Sequence, residues 1–95
     1  MIIKKYGKTK EQLLICLENL KSEFAKEISE NDVKITNVTD GYSIKGEKKF
    51  LFLNFWVDAV IIAKEQEFEL NWETNAPEGK VKEAMKNIEE ILEKC

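Results

Sequence analysis

Ninety-five residues suffice for one domain around a single core, so 1–95 is read as one folding unit. All fifteen basic residues are lysine, the acidic residues number eighteen, and histidine is absent, for a formal net charge of −3. Without His there is no imidazole for acid–base catalysis, nucleophile activation or zinc ligation, and without Arg no bidentate fork for phosphate or guanine.

Residues 1–6, Met-Ile-Ile-Lys-Lys-Tyr, read as a short strand whose paired lysines suit a sheet edge, and Gly7 ends it. Thr9 stands three residues before Gln12, the spacing of a capping box, and opens a helix expected over 9–30. Leu13, Leu17, Leu20, Phe24 and Ile28 return at three- and four-residue steps and form its apolar face. Cys16 lies beside that face as a small hydrophobe, while Cys95 reads as an exposed thiol in an unrelated context. The two are expected to stay unpaired in a reducing cytoplasm.

Residues 33–39 and 42–47 are expected to pair around Asp40-Gly41 as a two-residue type I′ loop. That loop sets Thr39 opposite Tyr42, Asn37 opposite Ile44 and Ile35 opposite Gly46. Val33, Ile35, Tyr42 and Ile44 then face the core.

The next run, residues 50–63, is apolar except for Asn54 and Asp58. Fourteen extended residues span about 46 Å, against a radius of gyration near 12 Å for a compact chain of this size. The run is therefore expected to bend, bulge or divide between Asn54 and Asp58. In one register, Phe50, Phe52, Trp56, Val60 and Ile62 share the face turned from the core, an apolar stripe between charged neighbours and so a candidate interface or ligand contact. A bulge that flips the register would instead return half of them inward. Residues 67–73 alternate without a fault, with Phe68, Leu70 and Trp72 on one side. Pro77 lies near the start of the last helix, whose stripe is Val81, Ala84, Met85, Ile88, Ile91, Leu92 and Cys95.

The order β-α-β-β-β-β-α defines an α+β domain, an antiparallel sheet with two amphipathic helices packed on one face. No apolar run approaches the ~20 residues that cross a bilayer, so no transmembrane segment is expected, and a cytoplasmic location follows by default. Asp58 has no second acidic or nucleophilic partner. Glu65, Glu67, Glu69 and Glu73 are accounted for by a turn and an outward face, without the loop glycine of a hard-cation site. Lys4, Lys5, Lys8 and Lys10 lack the arginines and stacking aromatics of a nucleic-acid surface. No catalytic residue, cofactor, metal or nucleic-acid partner is assigned.

Two functions remain. One is a non-enzymatic interaction module that uses the 50–62 stripe for self-association as a homo-oligomer, or for contact with an apolar partner. The other is a pocket for an apolar ligand, or an enzymatic one, between the bent sheet and the C-terminal helix, with Tyr42, Asp58 or Trp72 on its wall, by analogy with helix-grip folds.

The short strand before a long amphipathic helix, the Asp40-Gly41 hairpin, and the stretch Val57-Asp58-Ala59-Val60-Ile61-Ile62-Ala63-Lys64-Glu65-Gln66-Glu67-Phe68 also carry a family likeness. On these the chain resembles the small polyhydroxyalkanoic acid system proteins, roughly ninety-residue bacterial chains encoded near polyester-granule genes. It differs from their common pattern at Tyr6-Gly7-Lys8, where they carry His, and at Ala59, where they carry Gly. The resemblance implies a granule-associated accessory role through an apolar surface, and it brings no catalytic residues.

Overall fold

A computed structural model of the protein describes residues 1–95, except for the side chain of Phe50. Five strands form one antiparallel sheet in the order β1-β5-β4-β3-β2, and the helices lie on one of its faces. The strands are β1 (Ile2–Lys4), β2 (Val33–Val38), β3 (Gly41–Phe50), β4 (Leu53–Lys64) and β5 (Glu67–Thr74). The helices are α1 (Lys10–Glu23), α2 (Ala25–Glu30) and α3 (Glu78–Leu92). This is the α+β architecture that the alternation and helical spacing imply, with β1 at an edge beside β5.

The capping box forms as expected. The Gln12 N–H donates to Thr9 Oγ1 (3.2 Å), and the Thr9 N–H donates to Gln12 Oε1 (2.9 Å). Glu65, in the β4–β5 turn, accepts from the Lys10 N–H at 3.2 Å, so a carboxylate from across the fold also serves this helix start. Leu13, Leu17 and Leu20 are buried against Ala59, Ile61 and Ala63 of β4 and Phe68 and Leu70 of β5. The two alanines matter, because small side chains on the sheet let α1 lie close to it.

The helix expected over 9–30 is two helices. It breaks at Phe24 (φ −99°, ψ 14°), and α2 turns off to pack on β2. The apolar spacing continues through the break to Ile28, so periodicity alone does not reveal it.

The β2–β3 hairpin keeps the expected faces but not the expected partners. Ile35 pairs with Ile44, Val33 with Gly46 and Asn37 with Tyr42, a shift of two residues from the register set by an Asp40-Gly41 loop. The loop is Thr39-Asp40, with Asp40 at φ +62°. Gly41 already belongs to β3, and its requirement is space: a Cβ there would stand 1.8 Å from the Ile61 carbonyl oxygen. A two-residue shift preserves the inward set, and opposing Ile35 to Ile44 sets two half-buried β-branched side chains side by side.

The 50–63 run divides, but at Leu51-Phe52 and not between Asn54 and Asp58. Leu51, at φ +56°, makes the turn, and Phe50 ends β3. From Gly41↔Ile62 to Phe50↔Leu53 the ladder is unbroken, so no bulge flips the register. β3 extends to partner β4 from Leu53 to Ile62, which removes the need for a break. The length is accommodated by projection: β5 follows β4 only to Val57↔Thr74, and beyond that the β3–β4 hairpin is a two-stranded arm. The molecule accordingly measures 46 × 25 × 21 Å, with a radius of gyration of 13.6 Å.

Where β5 leaves the sheet, Asn75 substitutes for backbone. Its Oδ1 accepts from the Trp56 N–H and its Nδ2 donates to the Asn54 carbonyl, both at 2.8 Å. The thiols are not free. Cys16 of α1 and Cys95, just beyond α3, form a disulfide with a Cα–Cα distance of 5.8 Å across 79 residues of sequence. Beside it the Lys94 ammonium pairs with Glu23 (3.1 Å) and lies over the Phe24 ring.

A candidate ligand groove between the sheet and the C-terminal helix

The helices leave part of the sheet's inner face bare. α1 ends at Glu23 after covering the centre of β4 and β5. α3 follows the Asn75-Ala76-Pro77 turn and packs on the core from Met85 onward, with Leu92 its one buried residue. Between the first turns of α3 and the base of the arm lies an open trough of about 740 Å³.

Alternation builds its floor. Val57 of β4, Trp72 of β5 and Val33 of β2 project from the inner face, with Phe55 continuing the floor onto the arm. Gly46 keeps the middle open, since the position of a Cβ there lies 3.3 Å from Val57 Cγ1. Val81, Ala84 and Met85, at helical spacing on α3, form the facing wall. The α2–β2 turn, Glu30 to Asp32, closes one end, and Lys48 and Lys80 stand on the rim.

The volume falls in the range of small-molecule sites, and apolar walls with a few charged rim groups are their usual composition. A trough of this kind removes hydrocarbon from water, and the carboxylates of Glu30, Asp32 and Glu47 and the ammonium groups of Lys48, Lys49 and Lys80 also border it. The side chains of Asp, Glu or Cys form no cluster able to hold a metal ion among the described residues. The perturbed titrations lie on the opposite face. Lys64 and Asn71 hold the Glu69 carboxyl below the usual carboxylate range, and the Glu69 and Glu67 carboxylates raise Lys64 and Lys4.

Of the three residues expected on a pocket wall, Trp72 is there. Tyr42 packs against the main core instead, with the Lys21 ammonium 5.1 Å from its ring centroid. Asp58 is exposed on the outer face, opposite Lys45 and Glu73 in the ladders, because its even position in β4 turns it away from the helices.

The expected stripe separates. Val60 and Ile62 sit half-buried on the outer face, and Trp56, 39% exposed, stands where that face meets the mouth of the groove. Phe52 does not share their strand face: it is in the turn at the arm's tip and fully exposed, between Leu51 (85% exposed) and Leu53. The side chain of Phe50 lies outside the described residues, and its backbone pairs with Leu53. Val81, Ala84 and Met85 were legible only as the apolar stripe of a helix, and their part in a groove depends on how α3 is set against the sheet.

Comparison with protein-family models, curated proteins and solved structures finds no match. Geometry and chemistry therefore carry the functional reading.

Proposed function

We propose that this chain is a non-enzymatic binding protein that accommodates the apolar part of a small ligand in the groove between its sheet and α3. The observation that carries the reading is that both walls of an open trough of about 740 Å³ are apolar, Val33, Val57 and Trp72 on one side and Val81 and Met85 on the other. The absence of His and Arg from the whole sequence suits a binding role. A role at an apolar surface, as the resemblance to polyhydroxyalkanoic acid system proteins implies, would use the same property. The disulfide bears on location: such bonds persist in oxidising compartments, and in a reducing cytoplasm they act mainly as redox-responsive links.

The test is a titration of the oxidised protein with 1-N-phenylnaphthylamine, read by dye emission and by quenching of tryptophan. Saturable binding is expected, weakened at least tenfold in Val81→Lys, which sets an ammonium on the apolar wall. Absence of binding, or equal binding by the variant, refutes the reading.

A second reading, self-association, rests on the arm. Leu51 and Phe52 are almost wholly exposed at its tip, as few large hydrophobics are in a monomer. Light scattering would show a dimer that Phe52→Lys dissociates. A monomer at high concentration refutes it.

A further inference from the structure

We infer that the Cys16–Cys95 disulfide is the clamp that fixes α3 over the groove, and that thiol–disulfide exchange releases this wall. The inference rests on the groove reading above and adds its control.

Three observations converge on it. First, α3 supplies one entire wall of the trough, through Val81, Ala84 and Met85. Second, its own hold on the body is slight. Leu92 is its one buried residue, and Met85, Ile88 and Ile91 are half-buried against the core. Between residues 78–95 and the rest of the chain, the single side-chain hydrogen bond among the described residues is the exposed Lys94–Glu23 pair. An exposed pair of that kind contributes little. Third, the covalent attachments stand at opposite ends of the helix: the Asn75-Ala76-Pro77 turn at its start and the disulfide just past its end. A helix of fifteen residues is about 22 Å long and marginal in water without tertiary support. Cutting the far attachment leaves it hinged at one end.

The exchange needs a dithiol as reductant. Its thiolate attacks one of the two sulfurs and breaks the Cys16–Cys95 bond, forming a mixed disulfide and freeing the other cysteine as a thiolate. The second thiol of the reductant then displaces the bound cysteine. Two electrons and two protons pass to the protein, which ends as two thiols, and the reductant ends as its cyclic disulfide.

The experiment compares the oxidised chain, the chain reduced with dithiothreitol, and Cys16→Ser, by amide hydrogen exchange and by the dye titration. Exchange across residues 78–92 should be at least tenfold faster in the last two, with β5 amides at Phe68 and Leu70 still protected, and reoxidation should restore the reduced chain. Dye affinity should fall tenfold or more in step. Unchanged exchange in α3 overturns the clamp. Equal acceleration in α3 and throughout the sheet also overturns it, since the bond would then hold the whole fold and not one wall in particular. Faster α3 exchange with no dye bound in any state supports the clamp and overturns the groove reading, so the two failures are distinguishable.

Discussion

Gly41→Ala would test the closest backbone approach made at any glycine of the fold. A Cβ at this position would stand 1.8 Å from the Ile61 carbonyl oxygen, 2.9 Å from its carbon and 3.0 Å from Ile62 Cα. All three are backbone atoms, so no rotamer change relieves the clash. Restoring an ordinary contact requires β3 and β4 to part locally by more than about 1 Å, which takes a hydrogen bond of about 2.9 Å beyond bonding range. Gly41 is buried and pairs with Ile62, so water cannot readily replace what is lost. Two ladder bonds at about 1 kcal/mol each, plus about 1–3 kcal/mol for a polar group left unsatisfied, give a destabilisation of about 3–5 kcal/mol. A domain of this length has roughly 5–14 kcal/mol in total, so the midpoint of thermal unfolding should fall by about 15–30 °C, followed by circular dichroism. Gly79→Ala is the control. Nothing lies within 4 Å of its Cβ position and it sits in α3, so it should stabilise by up to about 1 kcal/mol. A Gly41→Ala protein within 1 kcal/mol of the parent would refute the argument, because the sheet would then tolerate a side chain where two backbones meet.

Three further outcomes follow from the packing and the charges. Cys16→Ala removes a cross-link between residues 79 apart and should cost about 2–4 kcal/mol, read as a lower urea midpoint relative to the oxidised parent; an unchanged midpoint would contradict a formed bond. Leu13→Ala empties the centre of the α1–sheet interface, where Leu13 is wholly buried, and should cost about 3–4 kcal/mol by the same measurement. For Glu69, whose folded carboxyl is held low first by its hydrogen bond to Lys64 and then by Asn71, the stabilisation is present above the ordinary carboxylate pKa and fades as pH falls through the lower folded value. NMR titration should show Glu69 below the usual range in the parent, with most of the displacement gone in Lys64→Ala; an unmoved midpoint would remove Lys64 as the cause.

Much of the architecture is local in origin and could be read before any contact was known. The Thr9–Gln12 spacing starts α1, the recurrence of Leu13, Leu17 and Leu20 defines its buried face, and strict alternation turns Phe68, Leu70 and Trp72 inward. One groove residue, Trp72, was legible on the same basis. Alternation has period two, however, so it fixes faces and leaves the register open to any shift of two, and the β2–β3 pairing uses that freedom. Periodicity is equally silent on the bend at Phe24, which the apolar spacing passes through.

The remaining features depend on what distant segments do to one another. Division of the 50–63 run at Leu51-Phe52 follows from β3 extending to partner β4, which a strand considered singly does not reveal. The disulfide joins residues 79 apart that no spacing relates, and it forms because α1 and the end of α3 meet over the same sheet. The groove exists because α3 docks by its C-terminal end and stands off at its start. Composition by itself determined that this protein has neither histidine nor arginine and coats itself in lysine and glutamate. Tertiary structure alone decided where the apolar surface stays uncovered, because burial is a property of paired surfaces and one helix here is too sparsely docked to cover its share.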